Sequence, residues 1–524
     1  MNRVRLEAPS ADRTVLCVPE FSSWAAGVER NRARFAECSA SLCGTPLPEV
    51  RGEMRRDFLG RSRTYLASFG ESLVEVDPSR PLIATGHQPE LFHPGVWIKS
   101  LAASRFAERV EGWSLHFLAD ADAVKHTAVR VPTGTVERPA VAYAAFDAWT
   151  NEAPFEERLV EDEGVFGVFA DRVDEAMGRL PFRPIVQEYW SAVTARAPST
   201  PNLGERLAAG RRSLEAELGW RNWEAPLSRL CDTRGFFLLA AEWIGDAGAF
   251  RECYNAVLSE HRARRKVRSK NHPAPDLRID GARIESPFWV WRSGEAARRP
   301  LWVEPRSDRT VLWGGDELMG AVPAGPAPRV DDLRAAVLGW KLRPRALVAT
   351  LFLRLLAADW FVHGIGGAKY DEATDALIRR WFGVEPPEFG VTTAALLLPG
   401  AAANPRERDA HAIQRRRRDV YWNPERHMDD SLRERDPIAR WIEAKLQLQR
   451  AAPRERADRK RRFDDLRAVN ARLRPYVSSL LQSADAELAA AVERGRALAA
   501  YASREFAFCL HPRSSLEWLA GALR

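Results

Sequence analysis

The segment RALVATLFLRLLAAD, residues 345–359, is apolar on nearly every side when wound as a helix, and it constrains the fold more than any other stretch. Such a helix has no face to give to water, so it must lie inside a protein body. It is followed by WFVHGIGG, a short apolar run ending in glycines, then by DEATDALIRRWFG, an amphipathic pattern stopped by Gly383, and then by the apolar run VTTAALLLP. Buried helix, strand, glycine turn, helix and strand in that order predict an α/β core.

The same rhythm occurs earlier. PLIATG (81–86), PGVWIKSLAASRFAERV (94–110) and LHFLADAD (115–122) read as strand, helix and strand, with Pro94 at the helix start where its missing N–H costs nothing. Residues 123–235 mix Pro-bounded pieces with helical stretches and show no repeat, which predicts an insertion into a core of residues 81–400. FFLLAAEWI (236–244) opens a second α/β stretch, and IESPFWVWR, PLWVEP and TVLWGG predict a strand meander. Apolar groups three and four apart in FSSWAAGVERNRARFAE and MRRDFLGRSRTYLASFGESL predict a helical N-terminal segment over 1–80.

Beyond Pro399 the chain becomes rich in Arg and Ala. Phe463, Leu466, Val469, Leu473, Val477, Leu480, Ala484, Leu488 and Ala491 recur at steps of three or four, which predicts a helical coiled-coil region over 401–524 with a closing C-terminal segment. The net charge of +7 belongs to this region, which carries +8 while the preceding residues carry −1. Acidic residues are interleaved among its arginines (RERADRKRRFDD), the pattern of a solvated or oligomeric helix face, and this argues against nucleic acid as a partner. No window approaches the roughly 18 apolar residues that a bilayer span needs, so no membrane partner is expected. The N-terminal residues lack a secretory pattern, and six scattered cysteines fit reduced thiols. A cytoplasmic location is the expectation.

The densest polar cluster is His87, His93, His116 and His126 with Asp120 and Asp122. In an open α/β sheet, ligands bind beyond the carboxyl ends of the strands, where both Thr85-Gly86-His87-Gln88 and Asp120-Ala121-Asp122 are predicted to lie. There His87 can serve as proton shuttle or anion contact, and Asp120 and Asp122 can hold a metal, an amine or sugar hydroxyls. The plain alternative is that the aspartates cap turns and the histidines pack. A second candidate is HGIGGAKYDE, where Gly366 and Gly367 let backbone approach a ligand, the next helix offers free N–H groups to an anion, and His363 and Lys369 add contacts. Its alternative is an ordinary strand-to-helix turn with Asp371 and Glu372 in the first helical turn. Trp289 and Trp291 in PFWVWR are candidate pocket walls. Neither HxGH, HExxH, GxGxxG nor GxxxxGK[ST] occurs at a suitable turn, so no metal is predicted and the cofactor is left open, with a nucleotide among the options.

ATGHQPELFHPGVWIKSLAASRFA followed by LHFLADADAVKH resembles the bacillithiol biosynthesis cysteine-adding enzyme family, whose pattern is a TGQQ-type turn, a helix, and a strand ending in an EDHD-type acidic motif. LRPRALVATLFLRLLAADWFVHGIGGAKYDE resembles that family's LRP helix and GGPGE-like turn. The resemblance implies a Rossmann-like core with inserted segments, a coiled coil used for homodimerisation, and ligase-like addition of cysteine to an amino-sugar amine. It places the first turn on Thr85, Gly86, His87 and Gln88, the acidic motif on Asp120 and Asp122, and the glycine turn on Gly366 and Gly367. His87 stands where the family has glutamine, and Ala121 where it has histidine. His87, Asp120 and Asp122 are thus the expected catalytic groups, and Thr85, Gly86, Gln88, His93, Lys99, His126, His363, Gly366, Gly367 and Lys369 the expected substrate contacts. HQPELF with Lys99 also resembles the opening of the WbqC-like family, which implies sugar-nucleotide or amino-sugar chemistry. A non-catalytic small-molecule binding protein is the third reading.

Overall fold

The computed structural model describes residues 6–71, 75–325, 328–401, 407–452 and 455–523. Its central sheet has six strands in the order Thr14–Val18, Phe389–Ala395, Trp360–His363, Leu82–His87, Trp113–Leu118 and Trp223–Pro226. The last five run parallel, and Thr14–Val18 closes one edge antiparallel to Phe389–Ala395. Leu82–His87 is the hub. Its successors in the chain, Trp113–Leu118 and Trp223–Pro226, step away on one side, and Trp360–His363 and Phe389–Ala395 step away on the other. The strand order therefore reverses between Leu82–His87 and Trp360–His363.

Both faces of this sheet are buried, which is why its strands read as continuous apolar runs rather than alternating ones. Ile83, Trp360 and Val362 point to one side and pack with Trp24, Ala102, Ala103 and Phe106 from the helices Trp24–Ala36 and Pro94–Arg109. Leu82, Ala84 and Phe361 point to the other and pack with Phe58, Phe352 and Leu355 from the helices Leu47–Ala67 and Ala346–Leu356. Close approach is needed at Gly27, where a Cβ would stand 2.2 Å from the Trp360 ring. The all-round apolar helix Ala346–Leu356 is buried as expected. Asp359, just before strand Trp360–His363, ties this layer together: its carboxylate accepts from Arg51, Arg55 and the Leu82 backbone N–H.

A second sheet is wholly antiparallel, in the order Glu317–Pro323, Arg309–Gly314, Arg299–Pro305, Arg283–Trp291 and Lys341–Pro344. It contains the expected meander. The chain divides into two compact units: one runs to Val131, resumes over Ala142–Leu398 and closes with the residues from Arg504 onward, and the other holds Pro132–Val141 and Pro399–Ser503. In the second unit the helix Glu407–Trp422 packs on Ser478–Tyr501, and Ile438–Arg450 packs on Arg456–Leu473. Of the apolar seam there, Leu473, Val477, Ala484 and Ala491 are buried while Phe463 and Leu480 are exposed.

Three expectations need correction. The N-terminal segment is not helical throughout, since Thr14–Val18 completes the central sheet; five residues are too few to declare a period. The stretch 123–235 is not wholly an insertion, because Trp223–Pro226 returns to the sheet beside Trp113–Leu118. Strand Trp360–His363 stops before the glycines, and Gly366 and Gly367 lie in the first turn of the helix Ile365–Phe382. Among the described residues no helix is long and apolar enough to cross a membrane.

Candidate functional site

A cavity of about 440 Å³ opens at the carboxyl ends of the two strands that flank the order reversal. Gly86, His87 and Gln88 border it from Leu82–His87 and the turn after it, and His363, Gly364, Ile365, Gly366 and Gly367 border it from the turn after Trp360–His363. The two turns singled out in the sequence thus share one hollow. Gly86 is required sterically, since a Cβ there would lie 2.3 Å from the Phe117 ring and 2.5 Å from the Phe117 carbonyl oxygen.

Lys99 lies on this cavity, carried by the second turn of the helix Pro94–Arg109. It is 7% exposed, and its Nζ donates to the Gly86 carbonyl oxygen at 2.8 Å. No carboxylate comes within ion-pair distance of it among the described residues, and burial pushes its pKa down to about 7. A desolvated ammonium without a counter-charge favours an anionic guest. The first residues of the helix Ile365–Phe382 add to this, because the N–H groups of Ile365, Gly366 and Gly367 have no intrahelical acceptor. Arg504 also lines the cavity, its guanidinium held by Thr393 Oγ1 and the Ala394 carbonyl, each at 3.0 Å.

His87 Nδ1 lies 3.2 Å from the Gln88 carbonyl oxygen. A carbonyl only accepts, so Nδ1 carries the hydrogen and Nε2 is left as an acceptor. Burial, reinforced by the Lys99 charge, pushes the His87 pKa down to about 3. Near neutral pH the ring is uncharged and weakly basic, which revises its expected role: it neither shuttles protons readily nor donates from Nε2 to an oxyanion. Gln88 Nε2 donates to Asp122 Oδ2 at 2.8 Å, and Arg298 lies 3.6 Å from the same carboxylate. Glu90 stands 3.8 Å from His87, and its pKa is pushed up to about 7 by burial and by the Asp122 charge. His93 caps the helix Pro94–Arg109, its Nδ1 accepting from the Gly95 N–H at 3.1 Å.

The wall opposite carries His363, whose Nε2 is 2.5 Å from Asp371 Oδ2. Asp371 is fixed in turn by Thr350 Oγ1 at 2.9 Å and by the Arg354 guanidinium at 2.7 Å. Burial would raise its pKa, but His363 and Arg354 outweigh that and hold it well below the usual carboxylate range. Thr350 and Asp371 line the cavity too.

Four of the expected site residues lie elsewhere. Thr85 is fully buried and spends its hydroxyl on the Val362 carbonyl, joining the hub strand to Trp360–His363. Asp120 turns away and accepts from the backbone N–H and hydroxyl of Ser228, capping the short helix Leu227–Leu230 beside a separate hollow of about 250 Å³. His126 and Lys369 are exposed and do not line the cavity. His116 is buried against Ser100 Oγ, and Trp289 and Trp291 do not line the cavity either. The cavity instead uses Thr350, Asp371 and Arg504, and Asp371 is further held by Arg354, groups that sequence reasoning had given to helix and tail. Only the helical spacing of Thr350 and Arg354, four apart on an otherwise apolar helix, marks two of them as unusual. Among the described residues no three His, Cys, Asp or Glu side chains gather in a way that would hold a metal ion. No family model matches the chain, and no curated protein matches it.

Proposed function

We propose that the chain is a carbon–nitrogen bond-forming enzyme of the kind its turns resemble, joining cysteine or a related small molecule to the amine of an amino-sugar compound. The observation that carries this reading is the meeting of the two turns in one cavity at the strand-order reversal, the place where open α/β sheets bind ligands. The parallel strand order also supports a Rossmann-like reading of the core. Lys99, Arg504 and the first N–H groups of the helix Ile365–Phe382 would hold an anionic group of the substrate, a carboxylate or phosphate. Gln88 and Asp122, already bonded to each other, would orient the amine, and His87 Nε2 would accept one of its N–H hydrogens. Positioning of this kind lowers the barrier by removing the freedom of the reactants before they meet. A homodimer through the C-terminal helices would cover the exposed Phe463, Leu480 and Val492, and a cytoplasmic location would supply the substrates.

The test is to incubate the protein with L-cysteine, glucosaminyl-malate and a nucleoside triphosphate and to look by mass spectrometry for the condensed product. Product from the wild type and little from Lys99→Met is the expected outcome. Absence of product, together with no change in melting temperature on adding any of the three compounds, would remove this reading.

A further inference from the structure

Three imidazoles line the cavity, His87, His93 and His363; His93 is spent on its helix cap, and the surroundings of the other two assign them different work. His87 gives its Nδ1 hydrogen to a backbone carbonyl and has no carboxylate closer than Glu90 at 3.8 Å. His363 has Asp371 at 2.5 Å from Nε2, with that carboxylate pinned by Thr350 and Arg354. The contact is not a hydrogen bond, but at 2.5 Å the carboxylate charge repels a lone pair on Nε2, which puts the hydrogen there and leaves the Nδ1 lone pair free. The ring packs between Phe361, 4.3 Å away centroid to centroid, and Phe389, which meets it edge-on at 4.9 Å.

The Nδ1 edge of this ring abuts Gly367. A Cβ at that position would stand 2.9 Å from Nδ1, so glycine keeps this edge of the ring clear, and both residues line the cavity. The charged groups around the ring are Asp371, Arg354 beyond it, and Lys99 across the cavity. Burial lowers the basicity of His363 and Asp371 restores part of it, so the ring is neutral near neutral pH.

We propose that His363 Nδ1 is the proton acceptor for the attacking amine, and that Asp371 is the positioning residue that fixes its tautomer. This rests on the amine-ligating reading of the cavity. As the amine nitrogen bonds to the carbonyl carbon of an activated carboxyl compound, the C=O π pair moves onto oxygen and the N–H proton passes to Nδ1; when the C=O bond re-forms, the bond to the activating group breaks and that group leaves with the electron pair and takes up the proton from Nδ1. The imidazolium so formed is paired with the Asp371 carboxylate, which stays ionised throughout.

Alkylation with iodoacetate tests the acceptor without any substrate. The reagent is an anion that alkylates an imidazole only through an unprotonated nitrogen, so wild-type protein is expected to be carboxymethylated on His363 at Nδ1 faster than on exposed His126, as read by peptide mass spectrometry that separates these products from those on the six free cysteines. Inorganic phosphate should slow it, and Asp371→Asn should bring it down to the His126 rate. Gly367→Ala, which places a methyl against Nδ1 and leaves Asp371 alone, covers the case in which Asp371→Asn does not fold; it should abolish the reaction. Nitrogen-15 shifts of wild-type His363 should report hydrogen on Nε2. Modification at Nε2, a rate no greater than that of His126, or indifference to both variants overturns the proposal. Ligation assays separate the two claims. If wild type ligates, His363→Gln should lose about 100-fold or more in kcat, and equal turnover at every pH would overturn the acceptor while leaving the ligase reading intact. A wild type that is alkylated at Nδ1 but never ligates retires the ligase reading and overturns the acceptor role with it, leaving only the free Nδ1 edge.

Discussion

Lys99 is the residue on which most of the site's behaviour turns. Its pKa falls from the usual lysine range to about 7 on folding, so between about pH 7 and pH 10 the unfolded chain binds the extra proton and stability rises with pH. Below pH 7 the buried charge costs its full penalty, on the order of 4 kcal/mol. Lys99→Met should therefore melt higher than the wild type at pH 6, by an amount that shrinks towards pH 10, in calorimetry across that range. A variant less stable than wild type at pH 6 would mean that the ammonium is compensated by a charge not seen here. Asp120 has the opposite sign. Burial, helped by Glu156, pushes its pKa up to about 7, so its contribution is lost as pH rises from about 4 to 7, and Asp120→Asn should flatten the stability profile in that window. The residue scale is also where the sequence was least legible. Asp120 and Asp122 are two apart in an acidic motif, yet one caps a helix and the other lines the cavity: a strand would put residues two apart on one face, but both lie in the turn after Trp113–Leu118, where that alternation no longer holds.

At the scale of elements, the turns depend on how closely helices and strands approach. Gly86→Ala should cost about 1–3 kcal/mol through overpacking against Phe117. Gly60→Ala, in the exposed interior of the helix Leu47–Ala67 with nothing within 4 Å of the new methyl, should instead stabilise by about 0.5–1 kcal/mol. Urea unfolding of the two variants measures the contrast, and equal effects would contradict the tight packing at Gly86. Asp359 binds Arg51, Arg55 and the start of the hub strand; burial would raise its pKa, but Arg55 and Arg51 prevail and hold it low. Asp359→Ala leaves two buried guanidiniums without their partner and should cost about 3–5 kcal/mol. Elements with a long apolar signature, Ala346–Leu356 and the strands around it, were readable from the sequence because burial on all sides leaves no polar positions. Thr14–Val18 and Trp223–Pro226 were not, since an edge strand and a four-residue strand owe their pairing to the sheet already formed beside them.

At the scale of the whole molecule, the two compact units should unfold as separate transitions, and Lys99→Met should move only the transition of the unit that holds the central sheet. A single transition moved as a whole would contradict that division. The sequence carried the order of strands and the two turns, but their meeting in one hollow depends on strand Trp360–His363 lying beside Leu82–His87, a pairing between residues far apart in the chain that periodicity does not encode. That meeting is the central claim, and titration calorimetry with L-malate at pH 6 and pH 9 tests it most directly. A cavity with Lys99 on its wall and a helix N-terminus beside it should bind malate with proton uptake near pH 7, more tightly at pH 6 than at pH 9, and this preference should vanish in Lys99→Met. Equal affinity at both pH values, or a preference that survives the substitution, would contradict it.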